Sequence, residues 1–497
     1  MPADTPPLPT PTHPAPTDPA AQSEAGVLIR AENGDVVTFD ATGLTLRLSD
    51  TVLADLRTRL ALTPVSALDV ATHLGDIDAW HLRREDGWLR FTAQLEPGAP
   101  REYQRAFAGG DIIASAPGPL YALLSLGGAR RAGFNDGPAA FPYHVLAPAD
   151  HIGAVGLEGT AAVCPSDGLQ HIPHSTRDAL IADTLLGWRR AGLRGLPLFM
   201  VRTETDGSAD ISALGQGIGY ANFLAALDSL VAAAQALGKR PKVLAVGIDF
   251  ALEDQASPPA ALAEGLRALM RQIERDMGRR NLQRPIFIAT FEAGTRRENC
   301  HPAMLAHWEL AWSHGAHAFA FSAPGYMFEQ TRFGRATPAA RRRMAEMDAH
   351  AIVALSDRKP WLCPLFLLAE YQGAEIRVTA RAMADLVIDD AFGAGAACGF
   401  SLAGTDAPRR IVSVRVAADD PQALILTCDG PPDGPRDGPA PELRYAYGAG
   451  ASPDAHPANR GAIRDLWSAP SSAPSAAGGP LHRWALPCVL PLRLGDG

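Results

Sequence analysis

The chain has 497 residues, of which 47% are hydrophobic, and this length predicts two or three domains with sizeable cores. Its formal net charge is -9, so it lacks the excess of Lys and Arg that nucleic acids and anionic membranes attract. We expect no nucleic-acid partner. We also expect no membrane insertion, because no apolar stretch of about 18 residues occurs.

The cysteines are scattered and contain no C-x-x-C pair, which indicates neither a zinc site nor a disulfide framework. We therefore expect no metal and no cofactor. The six positions are Cys164, Cys300, Cys363, Cys398, Cys428 and Cys488. The N-terminal stretch has no basic region followed by an apolar one, so we expect a protein made in the cytoplasm without a signal peptide.

Residues 1–24 are rich in proline, which favours an extended arm without a core, either a flexible tether or a docking peptide. Residues 25–115 contain short alternating runs such as VLIRA, VVTFD and WLRFTAQL, separated by turn residues. These runs predict β-hairpins, with one helical interruption near residues 50–61. We expect a small β-rich attachment domain.

Strands and helices alternate across residues 116–358. The runs PLYALLSL, LPLFMVRT, KVLAVGIDF, PIFIATF and AHAFAFSA are typical of buried strands, and patterns such as NFLAALDSLVAAAQALGK predict the helices between them. This alternation predicts an α/β fold with a parallel sheet covered by helices on both faces. The last helix carries Arg341, Arg342 and Arg343, which we interpret as a solvated face.

Residues 359–497 return to strand patterns such as EIRVTA, RIVSVRVAA and ALILTCDG, separated by Gly, Pro and Asp turns. They predict a C-terminal antiparallel β-sandwich.

Reactive groups of a parallel sheet are expected on loops at the carboxyl ends of its strands. The loop after PLYALLSL reads GGARRAGFN from Gly127 to Asn135. It resembles the first block of the SGNH hydrolases of the sialate O-acetylesterase and phage-associated type, in which a strand ends in G-Q-S-x-x-x-G and the serine is the nucleophile. Gly127 and Gly133 keep the spacing of the outer glycines, and Ala129 stands at the serine position.

Two further segments resemble the next blocks of that family. LPLFMVRTETDGSADIS is similar to the block with a glycine in its oxyanion loop, and Gly207 is the counterpart, flanked by Asp206 and Ser208. VLAVGIDFALEDQAS is similar to the third block, a strand running into a G-E-x-D or G-x-N-like loop, but here the loop reads FALED from Phe250 to Asp254, with Glu253 and Asp254 at its end, and does not clearly supply the family's glycine or its oxyanion donor.

The segment before the last helix, GYMFEQTRFGRATPAA, resembles the block that carries the family's aspartate and histidine. In this register Glu329 stands at the acid position and Arg332 at the histidine position. Arginine stays protonated at neutral pH and cannot act as a general base. Serine esterases need a hydroxyl nucleophile, a base and oxyanion donors. Ala129 and Arg332 remove the first two, so we expect no catalytic residues and an inactive esterase.

The resemblance covers roughly residues 118–358 and implies an SGNH-like three-layer fold. The rival hypothesis is an active carbohydrate O-acetylesterase with a relocated nucleophile, for which Ser125, Ser166 and Ser208 are the candidates. A displaced base would have to come from another histidine. The histidines considered are His144, His151, His171, His174, His301, His307, His314, His317 and His350.

Several polar side chains near these blocks are candidate ligand-binding residues. Arg130 and Arg131 either fill the former pocket, hold an acidic sugar or carboxylate through their forked donors, or lie exposed on the loop. Tyr326 either stacks on a sugar or packs in the core. The complete candidate set is Arg130, Arg131, Asn135, Asp206, Glu253, Asp254 and Tyr326.

This organisation resembles spikes, fibres or decoration proteins of phages and phage-derived particles. It implies adhesion to a cell-surface polysaccharide or capsule, with the N-terminal region attached to a particle or capsid protein, in a homo-oligomer on the surface of a released virion-like particle. The remaining alternative is a structural assembly protein without a ligand, which predicts a filled, flat surface around Ala129 and Arg332.

Overall fold

The computed structural model describes only part of the chain. The described residues are 26–30, 36–40, 43–47, 49, 51–52, 59 and 73–495, without 207–209, 251–253, 255, 294–300, 332–333, 435–437, 448–459 and 474–478. The chain divides into two compact units, Met1–Asp69 and Val70–Gly497. The predicted boundaries at residues 24, 115 and 358 stay predictions, and the proline-rich arm lies outside the described residues.

In the first unit three strands form an antiparallel sheet in the order β1-β2-β3. They are β1 (Gly26–Arg30), β2 (Val36–Asp40) and β3 (Gly43–Arg47). The backbone is helical at Thr51, Val52 and Arg59, within the range predicted for a helix.

The second unit begins with a four-stranded antiparallel sheet, as the alternating runs predict. Leu89, Phe91 and Ala93 are buried and alternate with less buried neighbours, the pattern of a strand with one face on a core. The strands are β4 (Ala79–Glu85), β5 (Trp88–Ala93), β6 (Arg101–Ala106) and β7 (Ile113–Ala114).

A seven-stranded sheet follows in the order β11-β10-β13-β8-β14-β15-β16, and all its pairs are parallel except β10 with β11. A short antiparallel ribbon pairs β9 with β12. The bounds are β8 (Leu120–Gly127), β9 (Phe134–Asp136), β10 (Val145–Pro148), β11 (Leu169–His171), β12 (His174–Thr176), β13 (Leu198–Thr205), β14 (Pro241–Gly247), β15 (Ile286–Phe291) and β16 (Phe319–Pro324).

The strands that alternate with helices, numbered one to five from β8 to β16, lie in the spatial order 2-1-3-4-5. This is a doubly wound order whose topological switch point lies between the first and third strands. The mixed α/β architecture is therefore confirmed, and β8 and β14 flank the place where such sheets bind ligands.

Two of the helices begin with a threonine cap. The Thr176 hydroxyl accepts a hydrogen bond from the Ala179 amide, and Thr337 caps the last helix, with Pro338 at its first position. The helices are α1 (Arg177–Ala191), α2 (Ile211–Leu214), α3 (Ile218–Ala236), α4 (Pro259–Arg279), α5 (His301–Trp312) and α6 (Pro338–Ser356).

Helices α1 and α6 pack together on the sheet and share a core with Leu123, Val201 and Ala245. Helix α3 packs against the same strands outside that core, on the opposite face. The segment Ile211–Ala236 is long and apolar enough to cross a membrane by length and composition, but most of it is buried inside the protein. Burial against the sheet accounts for its apolar character.

The C-terminal strands form a seven-stranded sheet, β20-β23-β26-β17-β18-β22-β21, and a three-stranded sheet, β19-β24-β25. Strands β17 and β26 run parallel, so the larger sheet is mixed, unlike the predicted antiparallel sandwich. The bounds are β17 (Leu365–Gln372), β18 (Glu375–Arg381), β19 (Leu386–Ile388), β20 (Phe400–Ala403), β21 (Ile411–Val416), β22 (Ala423–Cys428), β23 (Glu442–Tyr445), β24 (Ile463–Ala469), β25 (Leu481–Trp484) and β26 (Cys488–Leu494).

Candidate functional site

A cavity of about 90 Å³, which we call the switch-point cavity, opens at the carboxyl ends of the parallel strands. Arg130 and Arg131 follow β8, Asp249 follows β14 and Glu292 follows β15, and all four line it. A doubly wound sheet is expected to bind its ligand at this position.

Two glycines allow the strands to approach closely below the cavity. A Cβ at Gly127 would lie 2.6 Å from the Asp249 carbonyl oxygen, and the neighbouring Gly128 amide donates to that oxygen at 2.9 Å. A Cβ at Gly247 would meet the Arg131 guanidinium. The glycine that opens the motif thus has a packing role here.

The Arg131 guanidinium is the centre of a buried ion network. Its side chain is 1% exposed and donates to Asp249 and Asp178, each at 2.6 Å. Its Nε donates to Ser125 Oγ at 3.0 Å, and that hydroxyl in turn donates to Asp178 at 2.6 Å. Arg131 therefore fills the base of the switch-point cavity, which is the first of the three alternatives considered for it.

A second arginine extends this network to the last helix. Arg177 donates through two nitrogens to Asp348, at 2.6 and 2.7 Å, and through a third to Asp249 at 3.3 Å. Burial alone would raise the pKa of Asp249, but the Arg177 and Arg131 guanidinium groups outweigh it and hold the pKa below its ordinary value. The network links β8, β14, α1 and α6.

On the other side of the cavity Arg130 forms an ion pair with Glu292. The Glu292 amide donates to His307 Nδ1 at 3.0 Å, so the ring hydrogen lies on Nε2. Burial lowers the pKa of His307 to about 4, and the ring is neutral at pH 7. Its basic nitrogen is already occupied, and it offers the cavity an N–H donor.

Arg341, from α6, also lines the cavity. Its Nε donates to Asn135 Oδ1 at 2.7 Å and its Nη1 to the Ala336 carbonyl at 2.6 Å. Both partners are uncharged, and Arg341 forms no ion pair with a carboxylate within the described residues. Asn135 donates to the Pro338 carbonyl at 3.1 Å and so fixes the orientation of Arg341.

The interpretation of residues 341–343 as a solvated face is wrong for two of the three arginines. Arg341 and Arg343 are half-buried, and Arg343 donates to the carbonyls of Gly479 and Pro480. The reason is that α6 packs against both the parallel sheet and the core of the C-terminal strands. Only Arg342 of the three is exposed.

Apolar side chains complete the cavity, which has the mixture of an apolar wall and a few converging polar groups that small-molecule sites share. They are Phe250, Phe291, Phe328 and Met344.

The structure brings some predicted site residues to this edge of the sheet. Ala129 is half-buried in the turn between β8 and Arg130. Asp206 donates its amide to the Gly127 carbonyl at 2.9 Å, but it does not line the cavity. Asp254 is buried and accepts from the Ile211 and Ser257 amides at 2.9 and 3.0 Å, which gives it a role in holding the backbone.

Other predicted residues lie elsewhere. Glu329 lines a different cavity, and neither Ala129 nor Glu329 lines the switch-point cavity. Tyr326 is fully buried and donates to the Ala485 carbonyl at 2.7 Å, the core-packing alternative. Four residues fall outside the described ones, namely Gly207, Ser208, Glu253 and Arg332.

Two of the three candidate serines are described, and both hydroxyls are engaged. Ser125 is fully buried in the network around Arg131. Ser166 Oγ donates to the Ala149 carbonyl at 3.1 Å and accepts from the Gly168 amide at 3.2 Å, away from the switch-point cavity.

Sequence reasoning missed Asp249, Glu292 and Arg341. Glu292 directly follows the predicted strand PIFIATF, and Asp249 is the second-last residue of the predicted strand KVLAVGIDF, so the rule on carboxyl ends points to both. Arg341 lies within a helix, and no feature of the local sequence marks it as a site residue. No group of three His, Cys, Asp or Glu side chains suited to a metal occurs within the described residues.

No family model and no curated protein matches the chain. It is similar to a solved structure described as a novel carbohydrate acetylesterase from Xanthomonas citri, with 15% identity and a TM-score of 0.44 over 74% of this chain and 86% of that one. It is also similar to a protein from Arabidopsis thaliana, with 12% identity and a TM-score of 0.34 over 48% of this chain and 98% of that one. Likeness at this level does not assign a function.

Proposed function

We propose that this chain is a non-catalytic binding protein whose switch-point cavity holds a carboxylate- or acyl-bearing sugar. The observation that carries the proposal is the bonding of Ser125, Arg131 and Asp178 beneath the cavity. All three are buried and hydrogen-bonded to one another, so the Ser125 hydroxyl is engaged by Asp178 and Arg131 and is not exposed to a substrate. A nucleophilic serine must reach the carbonyl carbon of its substrate.

The remaining polar groups of the cavity suit recognition. His307 is neutral and its acceptor nitrogen is engaged, which leaves the ring a donor and not a base. Arg341 remains charged at neutral pH and has only uncharged partners within the described part of the chain. A carboxylate or a carbonyl oxygen is the natural partner of such donors.

The apolar wall supports the same ligand class. Phe291 and Phe328 line the cavity beside the polar groups. They suit the methyl of an acetyl group or the apolar face of a sugar, while Arg341 and His307 meet the oxygens.

In the wider proposal this ligand belongs to a cell-surface polysaccharide or capsule. The chain then acts as a spike, fibre or decoration protein on a phage or phage-derived particle, as a homo-oligomer attached through its N-terminal region. Size-exclusion chromatography with light scattering tests the oligomer, and co-sedimentation with particles tests the attachment.

The binding test is a glycan array carrying acidic, O-acetylated and plain neutral glycans, with Arg341→Met as the variant. A hydrogen bond to a charged group contributes about 1.5–3 kcal/mol, so the variant should lose roughly ten- to hundredfold in affinity for acidic or acetylated glycans. Arg342→Met, one residue along the same helix and exposed, is the matched control and should bind as wild type.

Hydrolysis of p-nitrophenyl acetate and labelling by a fluorophosphonate should stay at the level of the unfolded protein. A serine that is labelled, together with hydrolysis lost in its alanine variant, would establish the esterase alternative instead. Absence of both binding and hydrolysis would favour a structural assembly protein.

A further inference from the structure

A second cavity, of about 250 Å³, lies between the start of α6 and the C-terminal strands. Glu329 and Arg343 line it from the α6 side, and Phe392, His482 and Trp484 from the C-terminal side. One water requires about 10–15 Å³ by this measure. The second cavity therefore has room for a ligand of the size of a sugar ring.

Its apolar wall is a ring whose position is fixed. Phe392 is half-buried and packs on Trp484, with 4.6 Å between ring centroids, and edge-on against Tyr326 at 6.1 Å. Because neighbouring aromatic rings already restrict the Phe392 side chain, it loses little conformational entropy when a ligand packs on it. The C–H groups on one face of a sugar pack well on such a ring.

Hydrogen-bond acceptors face the same space. One Glu329 oxygen has a long contact of 3.5 Å with Thr337 Oγ1, and the other has no hydrogen-bond partner among the residues described. His482 donates through Nδ1 to the Trp467 carbonyl at 3.1 Å, which leaves the Nε2 lone pair. Burial lowers the pKa of His482, so the ring is neutral at pH 7.

The charges of the second cavity balance. Arg343 offsets Glu329, and Asp389, which also lines the cavity, is paired with Arg464 at 2.7 Å. A balanced site with unused acceptors favours a neutral ligand rich in hydroxyl donors over a phosphate or an ammonium ion.

From the aromatic wall, the unused hydrogen-bond acceptors and the balanced charges of the second cavity, we propose that it is a separate subsite for a neutral sugar ring. The ring packs on Phe392, and its hydroxyls donate to Glu329 and His482. The inference does not depend on ligand binding in the switch-point cavity.

Saturation-transfer NMR on the full chain tests this subsite with three neutral probes, the methyl glycosides of glucose, galactose and mannose. Transfer to the ring protons of at least one glycoside is expected. Phe392→Ala should reduce it at least fivefold and Glu329→Leu should abolish it, while Glu329→Gln should retain part of it because the amide oxygen still accepts.

Arg342→Met, at an exposed position of α6 that lines neither cavity, should leave the transfer unchanged, and circular dichroism checks that each variant is folded. The proposal is overturned when none of the three glycosides receives saturation. It is equally overturned when the transfer persists in both Phe392→Ala and Glu329→Leu. Because the probes carry neither carboxylate nor acyl group, this result is independent of binding in the first cavity.

Discussion

Replacing Arg131 with methionine removes the central cation of the network and leaves the Asp178 and Asp249 carboxylates buried without it. Removing one partner of a buried ion pair lowers the free energy of unfolding by about 3–5 kcal/mol, because the remaining charge stays buried without compensation. Methionine fills a similar volume, so little of the loss comes from a cavity. We expect the free energy of unfolding, from urea titration at pH 7, to fall by that amount.

The loss should depend on pH with a defined sign. The lowered pKa of Asp249 stabilises the folded protein above the unfolded-state value of about 3.9 and ceases to do so as pH falls through the folded-state pKa. Without Arg131 the pKa of Asp249 rises, so the variant takes up its proton at higher pH. The difference between the two proteins should therefore narrow from pH 7 to pH 4.

Arg271→Met is the matched control, because Arg271 pairs with Glu264 on the surface of α4, where both side chains are about half exposed. Its effect should stay within about 0.5 kcal/mol. A loss below about 1 kcal/mol for Arg131→Met, or one that is the same at pH 7 and pH 4, would refute the assignment of this network as the buried support of the site.

Two further outcomes follow from buried polar groups. Tyr326→Phe leaves the Ala485 carbonyl without its donor and should lower the free energy of unfolding by about 1–3 kcal/mol in urea titration; an unchanged value would contradict the described hydrogen bond. Burial lowers the pKa of His144 from 6.5 to about 4, so folding favours the neutral form of its ring. The free energy of unfolding should therefore fall by on the order of 3 kcal/mol as the pH drops from 6.5 to 4. His144→Gln should flatten that part of the stability curve, and an identical curve would rule out His144 as its source.

The main strands and helices of residues 116–358 were predictable, because long buried runs separated by helical patterns leave few alternatives. Strands β10 and β11 were missed, since four and three residues carry too little pattern. The parallel pairing of β17 with β26 was also missed. It joins Ala369–Tyr371 to Leu492–Leu494, and no local pattern specifies a contact over such a separation.

The position of the site in the fold was more predictable than the residues that form it. The loop from Gly127 to Asn135 does border the switch-point cavity, because strand order and the carboxyl-end rule fix where a site forms. The partners of Arg131 were not predictable. Asp178 and Asp249 come from separate elements, and nothing in their local sequence indicates that they meet one guanidinium.

The proposal of a non-catalytic cavity has a further test in Ala129→Ser. The new hydroxyl would stand at the half-buried turn above Arg131, but the lone pair of the His307 ring is already bonded to the Glu292 amide. A hydroxyl without a base is a weak nucleophile, so hydrolysis of p-nitrophenyl acetate should remain at background. Hydrolysis by Ala129→Ser well above the wild-type level would mean that a base faces this turn, and the cavity would then be a catalytic site lacking only its serine. Background hydrolysis in a folded variant is the result that the proposed binding cavity predicts.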